Sequence, residues 1–144
     1  MSFPQDKIAD FWLNQLEMVQ ANIARMAGYG ATIKNWCITV TTAVCGFSFT
    51  IHKPGLVWLA FLPVLTFAFM DAQYLRVERQ FRERFDKLRR EDWDTPPSFD
   101  VSPDTASHVS LLTILGSWSI LSFYLPLAVG VAIVMLFEWN APAK

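Results

Sequence analysis

Apolar residues gather in three runs along this chain, about 36–51, 56–75 and 109–137, and polar or amphipathic segments separate them. The second run opens as LVWLAFLPVLTFAFM, fifteen residues without a charge, and passes through Asp71, Gln73 and Tyr74 into LRVERQFRERFDKLRR. No Gly interrupts it, and its one Pro is Pro63 in the apolar half. The pattern predicts one continuous helix from Leu56 to Arg90. At about 1.5 Å per residue it is roughly 52 Å long, against a bilayer hydrocarbon core of about 30 Å. Such a helix crosses a membrane and projects about 20 Å into water.

Ahead of the first run, Trp12, Leu16, Val19, Ile23 and Met26 recur at spacings of 4, 3, 4 and 3, extended by Ile8 and Phe11. That is the stripe of an amphipathic helix over about Ser2–Met26. Ser2 and Gln5 have capping-box spacing, with Pro4 tolerable in the first turn. Lys7, Asp10, Asn14, Glu17 and Arg25 occupy the other face. Three uses are open to this helix: packing on the chain's own cytosolic helices, gating a pore from beneath, or lying on the lipid surface. Gly28 and Gly30 predict a break or corner, because each costs about 1 kcal/mol in a helix interior. Lys34 and Trp36 then mark a membrane–water boundary.

The first run is unusually polar for a span. Asn35, Thr39, Thr42, Gly46 and Thr50 share one helical face. Thr can return its hydroxyl to a backbone carbonyl one turn back, so such residues cost little in lipid. The face reads either as a helix–helix seam of small residues or as the lining of a wet path. His52-Lys53-Pro54-Gly55 is a tight turn, so the first two runs form a hairpin. That turn holds one Lys, whereas Arg76, Arg79, Arg82, Arg84, Lys87, Arg89 and Arg90 follow the second run. The positive-inside rule therefore puts this basic segment and the N-terminus in the cytoplasm.

Asp71 lies about one turn inside the cytoplasmic end of the second span. A carboxylate there is costly and needs a reason. It is either half of a structural pair, with Lys34 or an Arg, or part of a charge ring at a cytoplasmic pore mouth that favours cations. Beyond it, Val77, Phe81, Phe85 and Leu88 form the stripe expected to dock on Trp12, Leu16, Val19 and Ile23 of the N-terminal helix. Glu78–Arg82, Glu83–Lys87 and Asp86–Arg90 are favourable i,i+4 pairs. Residues 76–90 carry seven basic and three acidic groups. Such a run is a solvated positive-inside face, or it attracts lipid headgroups or an anionic ligand such as a nucleotide.

Residues 91–107 are acidic, with no Lys or Arg and three prolines. They read as a loop whose charge suits the basic helix. Ser102 followed by Pro103 has the form of a helix start. The third run is read as one tilted span, possible kink at Pro126, with the end of the chain outside; the alternative is a re-entrant pair bent near Tyr124-Leu125-Pro126. Ser110, Thr113 and Ser117 share a face near its start.

Composition narrows the classes. Hydrophobic residues are 53% and charged residues 17%, with a mean hydropathy of +0.28; a soluble helical protein of this composition needs polar faces on its apolar runs, and these have almost none. The N-terminus carries acids and no signal-peptide pattern, so insertion is expected to rest on the internal spans. Cys37 and Cys45 lie roughly 12 Å apart along one helix, too far to bridge. Metal-ligand spacings, phosphate loops and nucleophile signatures are missing, so neither an enzyme nor a metal or cofactor site is expected.

With these residues in place, a resemblance can be stated. Ile23, Arg25 and Met26, then Ile33, Lys34 and Trp36, then Asp71, Ala72, Tyr74, Leu75, Glu78, Arg79, Phe81 and Arg82 match a pattern of small bacterial multi-pass membrane proteins. This chain resembles that family over about residues 15–90. It departs at Gly28 and Gly30, where relatives tend to have Asn and Ser, and at Gln73, where they have Tyr. The family is similar to membrane effectors associated with antiviral defence, some encoded beside nucleotidyltransferases. The resemblance implies a pore-forming or membrane-disrupting effector.

The expected fold is therefore an all-α membrane protein. It has an N-terminal cytosolic amphipathic helix (1–27), a transmembrane hairpin (28–75), a basic cytosolic helix with an acidic loop (76–107) and a third transmembrane segment (108–139). Because three spans cannot enclose a wide pore, a path forms on the axis of a homo-oligomer. The expected function is an inner-membrane channel or permeabilising effector, with copies of itself and lipids as partners and a nucleotide signal or soluble regulatory protein as candidate trigger. The alternative is a non-conducting scaffold that docks a soluble partner.

Overall fold

The computed structural model describes residues 5–51, 53–103 and 110–140. They are helical, without a strand: α1 (Gln5–Ile51), a 3₁₀ segment (Pro54–Ala60), α2 (Phe61–Leu88), α3 (Leu111–Leu115) and α4 (Trp118–Asn140). Ser2, Pro4, His52 and the last four residues lie outside the described residues, and so do the expectations placed on them.

α1 is the first correction. It runs unbroken through Gly28 and Gly30, so the expected corner is absent and the boundary drawn after residue 27 falls inside one helix. The cost of two glycines, about 2 kcal/mol, is outweighed by the packing of α1 along α2 on both sides of them. The long second rod also differs in detail. Its first seven residues are 3₁₀ and its α-helix ends at Leu88. Pro63 has no N–H for the Leu59 carbonyl, so the α ladder lacks that bond where the 3₁₀ segment gives way to α2.

Among the described residues, two helices are long and apolar enough to cross a membrane: Gly55–Leu88, counting the 3₁₀ segment, and Trp118–Asn140. Only 28% and 17% of their most apolar stretches are buried. A core helix of a water-soluble protein would be mostly buried, whereas a helix in lipid keeps an apolar exterior. Leu125, Val129, Ile133 and Leu136 are exposed on one side of α4, and Leu62, Leu65 and Phe69 on one side of α2. Trp118 and Trp139 are exposed at the two ends of α4. They are roughly 32 Å apart along the axis, close to the thickness of the hydrocarbon core. The expected first span is the C-terminal part of α1, more polar than these two.

The third run breaks at Gly116–Ser117, between α3 and α4, and α4 continues through Pro126. The bend of a re-entrant pair at 124–126 is therefore excluded. Ser102 and Pro103 do not begin a helix: the Asp100 carboxylate accepts the Ser102 N–H at 2.9 Å, which makes an Asx turn instead. The helix begins after Ser110.

Three apolar clusters hold the helices together. At one end Val57, Ala60 and Val131 pack with Val44, Cys45 and Met135. In the middle Cys37, Val64, Ala72, Ile114, Ile120 and Tyr124 join α1, α2, α3 and α4. At the other end Ile8, Trp12 and Val19 meet Phe81 and Leu88, flanked by Leu16, Ile23, Val77 and Phe85. The loop after α2 closes over this last cluster. Trp12 stacks on Trp93 (6.0 Å between ring centroids) and its indole N–H donates to Thr95 O at 2.9 Å. Buried Gln15 donates to Asp100 O at 3.0 Å, and Arg84 pairs with the Asp100 carboxylate at 3.8 Å.

Candidate functional site

The chemistry of the molecule concentrates where α1, α2 and α4 meet near the start of α4. Asp71 is 3% exposed on α2 and faces α1. Lys34 Nζ lies 2.6 Å from its Oδ2. The two approach because α1 carries Gly30 one turn before Lys34: a Cβ there would stand 3.0 Å from Asp71 Oδ1. Gly30 thus serves the close approach of a carboxylate, not a turn in the chain. A side chain at this position would need Asp71 to shift.

α4 completes the centre. The Tyr124 hydroxyl donates to Phe67 O, one turn before Asp71, at 3.2 Å, and lies within reach of the Asp71 carboxylate. Lys34 Nζ is 5.9 Å from the centroid of the Phe123 ring. A buried carboxylate beside an ammonium and a phenol is a compensated charge, and the ammonium in turn faces an aromatic ring. A cleft of about 270 Å³ opens beside the pair toward Glu78 and Ser119.

The polar face of α1 points elsewhere. Asn35, Thr39, Thr42, Gly46 and Thr50 are all exposed on the outside of the helices, while Ile33, Cys37, Thr41 and Ser48 face inward. Thr39 and Thr50 return their hydroxyls to Asn35 O (2.9 Å) and Gly46 O (3.0 Å). Asp71 does not share this face, so the carboxylate and the polar stripe are two separate features of the chain.

Around the basic segment, Arg82 binds Glu78 Oε1 through Nε (2.8 Å) and Nη2 (2.7 Å). Arg84 reaches the loop, and Arg89 and Arg90 are exposed past the end of α2. Arg76, Arg79 and Lys87 also lie on α2. Loop carboxylate Asp100 is held below the ordinary aspartate range by hydrogen bonds from the Ser102 hydroxyl and N–H, with Arg84 adding to them.

One centre was not foreseen from the sequence. Glu138, near the end of α4, accepts the buried Ser48 hydroxyl at 2.7 Å, and Ser48 is also 2.9 Å from Lys53 O. This ties α1, the hairpin turn and α4 together. A lone acid ending the long uncharged run was the available signal. Among the described residues no group of three or more His, Cys, Asp and Glu could hold a metal. No family model, curated protein or solved structure matches the chain.

Proposed function

We propose that this protein is a multi-pass protein of the bacterial inner membrane that assembles with copies of itself into a channel, or a permeabilising effector, with its N-terminus in the cytoplasm. The observation that carries the reading is the outward face of α1. Asn35, Thr39, Thr42, Gly46 and Thr50 are exposed beside two helices whose surroundings suit lipid. Lipid cannot satisfy an Asn amide, whereas a second copy or water can. α1, α2 and α4 then serve as three spans, and Asp71–Lys34 is a pair internal to each protomer rather than a ring at the pore mouth.

The seven Arg and Lys residues of 76–90, against the single Lys of the turn, support the orientation. The antiviral role rests on the family resemblance. Arg89 and Arg90 suit contact with anionic headgroups, a nucleotide signal or an acidic face of a regulatory protein. The scaffold reading is disfavoured because the apolar stripe of the N-terminal helix is occupied by α2 and the loop. The test is assembly and ion flux measured on the same reconstituted sample. A Cβ at Gly46 meets nothing within 4 Å in the protomer, so Gly46→Leu should leave the fold intact while reducing oligomer size and flux together. An intact oligomer that passes no ions would favour the scaffold.

A further inference from the structure

The cleft beside the ion pair has polar capacity that the protomer does not use. Lys34 carries three N–H donors and its charge is paired with Asp71 on one side only. Glu78 takes both Arg82 nitrogens on Oε1 alone, leaving Oε2 as an acceptor. Ser119, next to exposed Trp118, also lines the cleft, and Met26 and Leu75 make part of the wall apolar. Given the membrane depth read above, this mouth sits at headgroup level.

We propose that the cleft binds the headgroup of a phosphatidylethanolamine-type lipid, with phosphate at Lys34 and primary ammonium at Glu78. The charges select a zwitterion. Lys34, Arg82, Asp71 and Glu78 balance, so a lone anion meets two carboxylates and a lone cation meets two basic groups, while a neutral ion pair meets complements at each end. The volume of about 270 Å³ equals roughly nine waters of liquid, room for a phosphate joined to an aminoethyl group. Choline has no N–H to donate to Glu78, so it is the discriminating competitor.

The site is tested by native mass spectrometry of the detergent-solubilised protein, equilibrated with phosphatidylethanolamine, phosphatidylcholine and phosphatidylglycerol of identical acyl chains. The expected result is at least fivefold retention of phosphatidylethanolamine over each of the others. Glu78→Gln should remove the preference over phosphatidylcholine, with Ser119→Ala reducing it by a smaller factor. Soluble phosphoethanolamine in excess should displace the lipid only weakly if the acyl chains anchor it; full displacement at equal concentration would identify a site for a free zwitterion and overturn the lipid assignment. Equal retention of the ethanolamine and choline lipids, stronger retention of phosphatidylglycerol, or a preference that survives Glu78→Gln would each overturn the proposal. The assay reads no ion flux, so lipid choice and channel function succeed or fail separately.

Discussion

Replacing Asp71 by Asn keeps the shape of the side chain and removes its charge, so Lys34 is left without its counter-ion. One-sided breaking of a buried pair costs about 3–5 kcal/mol. Lys34 keeps 23% of its side chain exposed, and its long stem lets the ammonium reach toward water, so the expected loss is about 2–3 kcal/mol. The second replacement, Lys34→Gln, removes the stranded ammonium and lets two amides hydrogen-bond across the 2.6 Å gap. The double variant should therefore recover most of the loss, with a coupling energy of about 2 kcal/mol. Thermal unfolding of the four proteins in one detergent gives the cycle. An Asp71→Asn protein as stable as the original, or a double variant no better than the single, would refute the structural pairing. If the same Asp71→Asn oligomer assembled and lost cation selectivity, the pore-mouth reading of this carboxylate would return.

The two α1 glycines should respond with opposite signs. Gly28→Ala places its Cβ in open space and should stabilise by about 0.5–1 kcal/mol, whereas Gly30→Ala meets Asp71 Oδ1 and should destabilise by about 1–3 kcal/mol; thermal melts distinguish them, and a corner at 28–30 would predict the same sign for both. The depressed Asp100 carboxyl should add stability to the docked loop above the ordinary aspartate value and lose it as pH falls through its lower folded value. Near-ultraviolet circular dichroism of the Trp12–Trp93 stack should lose intensity at that low pH, and Asp100→Asn should remove the dependence. Reporter fusions after Arg90 and after Lys144 should report cytoplasm and periplasm; a cytoplasmic C-terminus would refute three spans.

Much of the framework follows from periodicity. The stripe from Trp12 to Ile23 and the stripe from Val77 to Leu88 meet in the structure because both are helical spacings with no other apolar surface to cover. What periodicity missed depends on distant neighbours. Gly30 carries the local signature of a break, yet its role is to admit a carboxylate from another helix. Pro126 carries the signature of a kink, yet the chain breaks ten residues earlier, at Gly116–Ser117, where Ser117 O accepts the first N–H bonds of α4. Asp71 could be read as pair or pore charge from sequence, since which face of α2 meets Lys34 depends on packing. Ser48 and Glu138 are 90 residues apart, and nothing local links them.

The central claim is that the exposed polar face of α1 borders a path for ions. It is tested most directly by Thr42→Cys, in a chain with Cys37 and Cys45 replaced, reconstituted in liposomes and treated with a membrane-impermeant charged thiol reagent during ion-flux recording. The account predicts flux before treatment, block at position 42, and no block for Leu125→Cys on the exposed apolar side of α4. Flux that survives modification at position 42, or an assembled oligomer that conducts nothing, would contradict it.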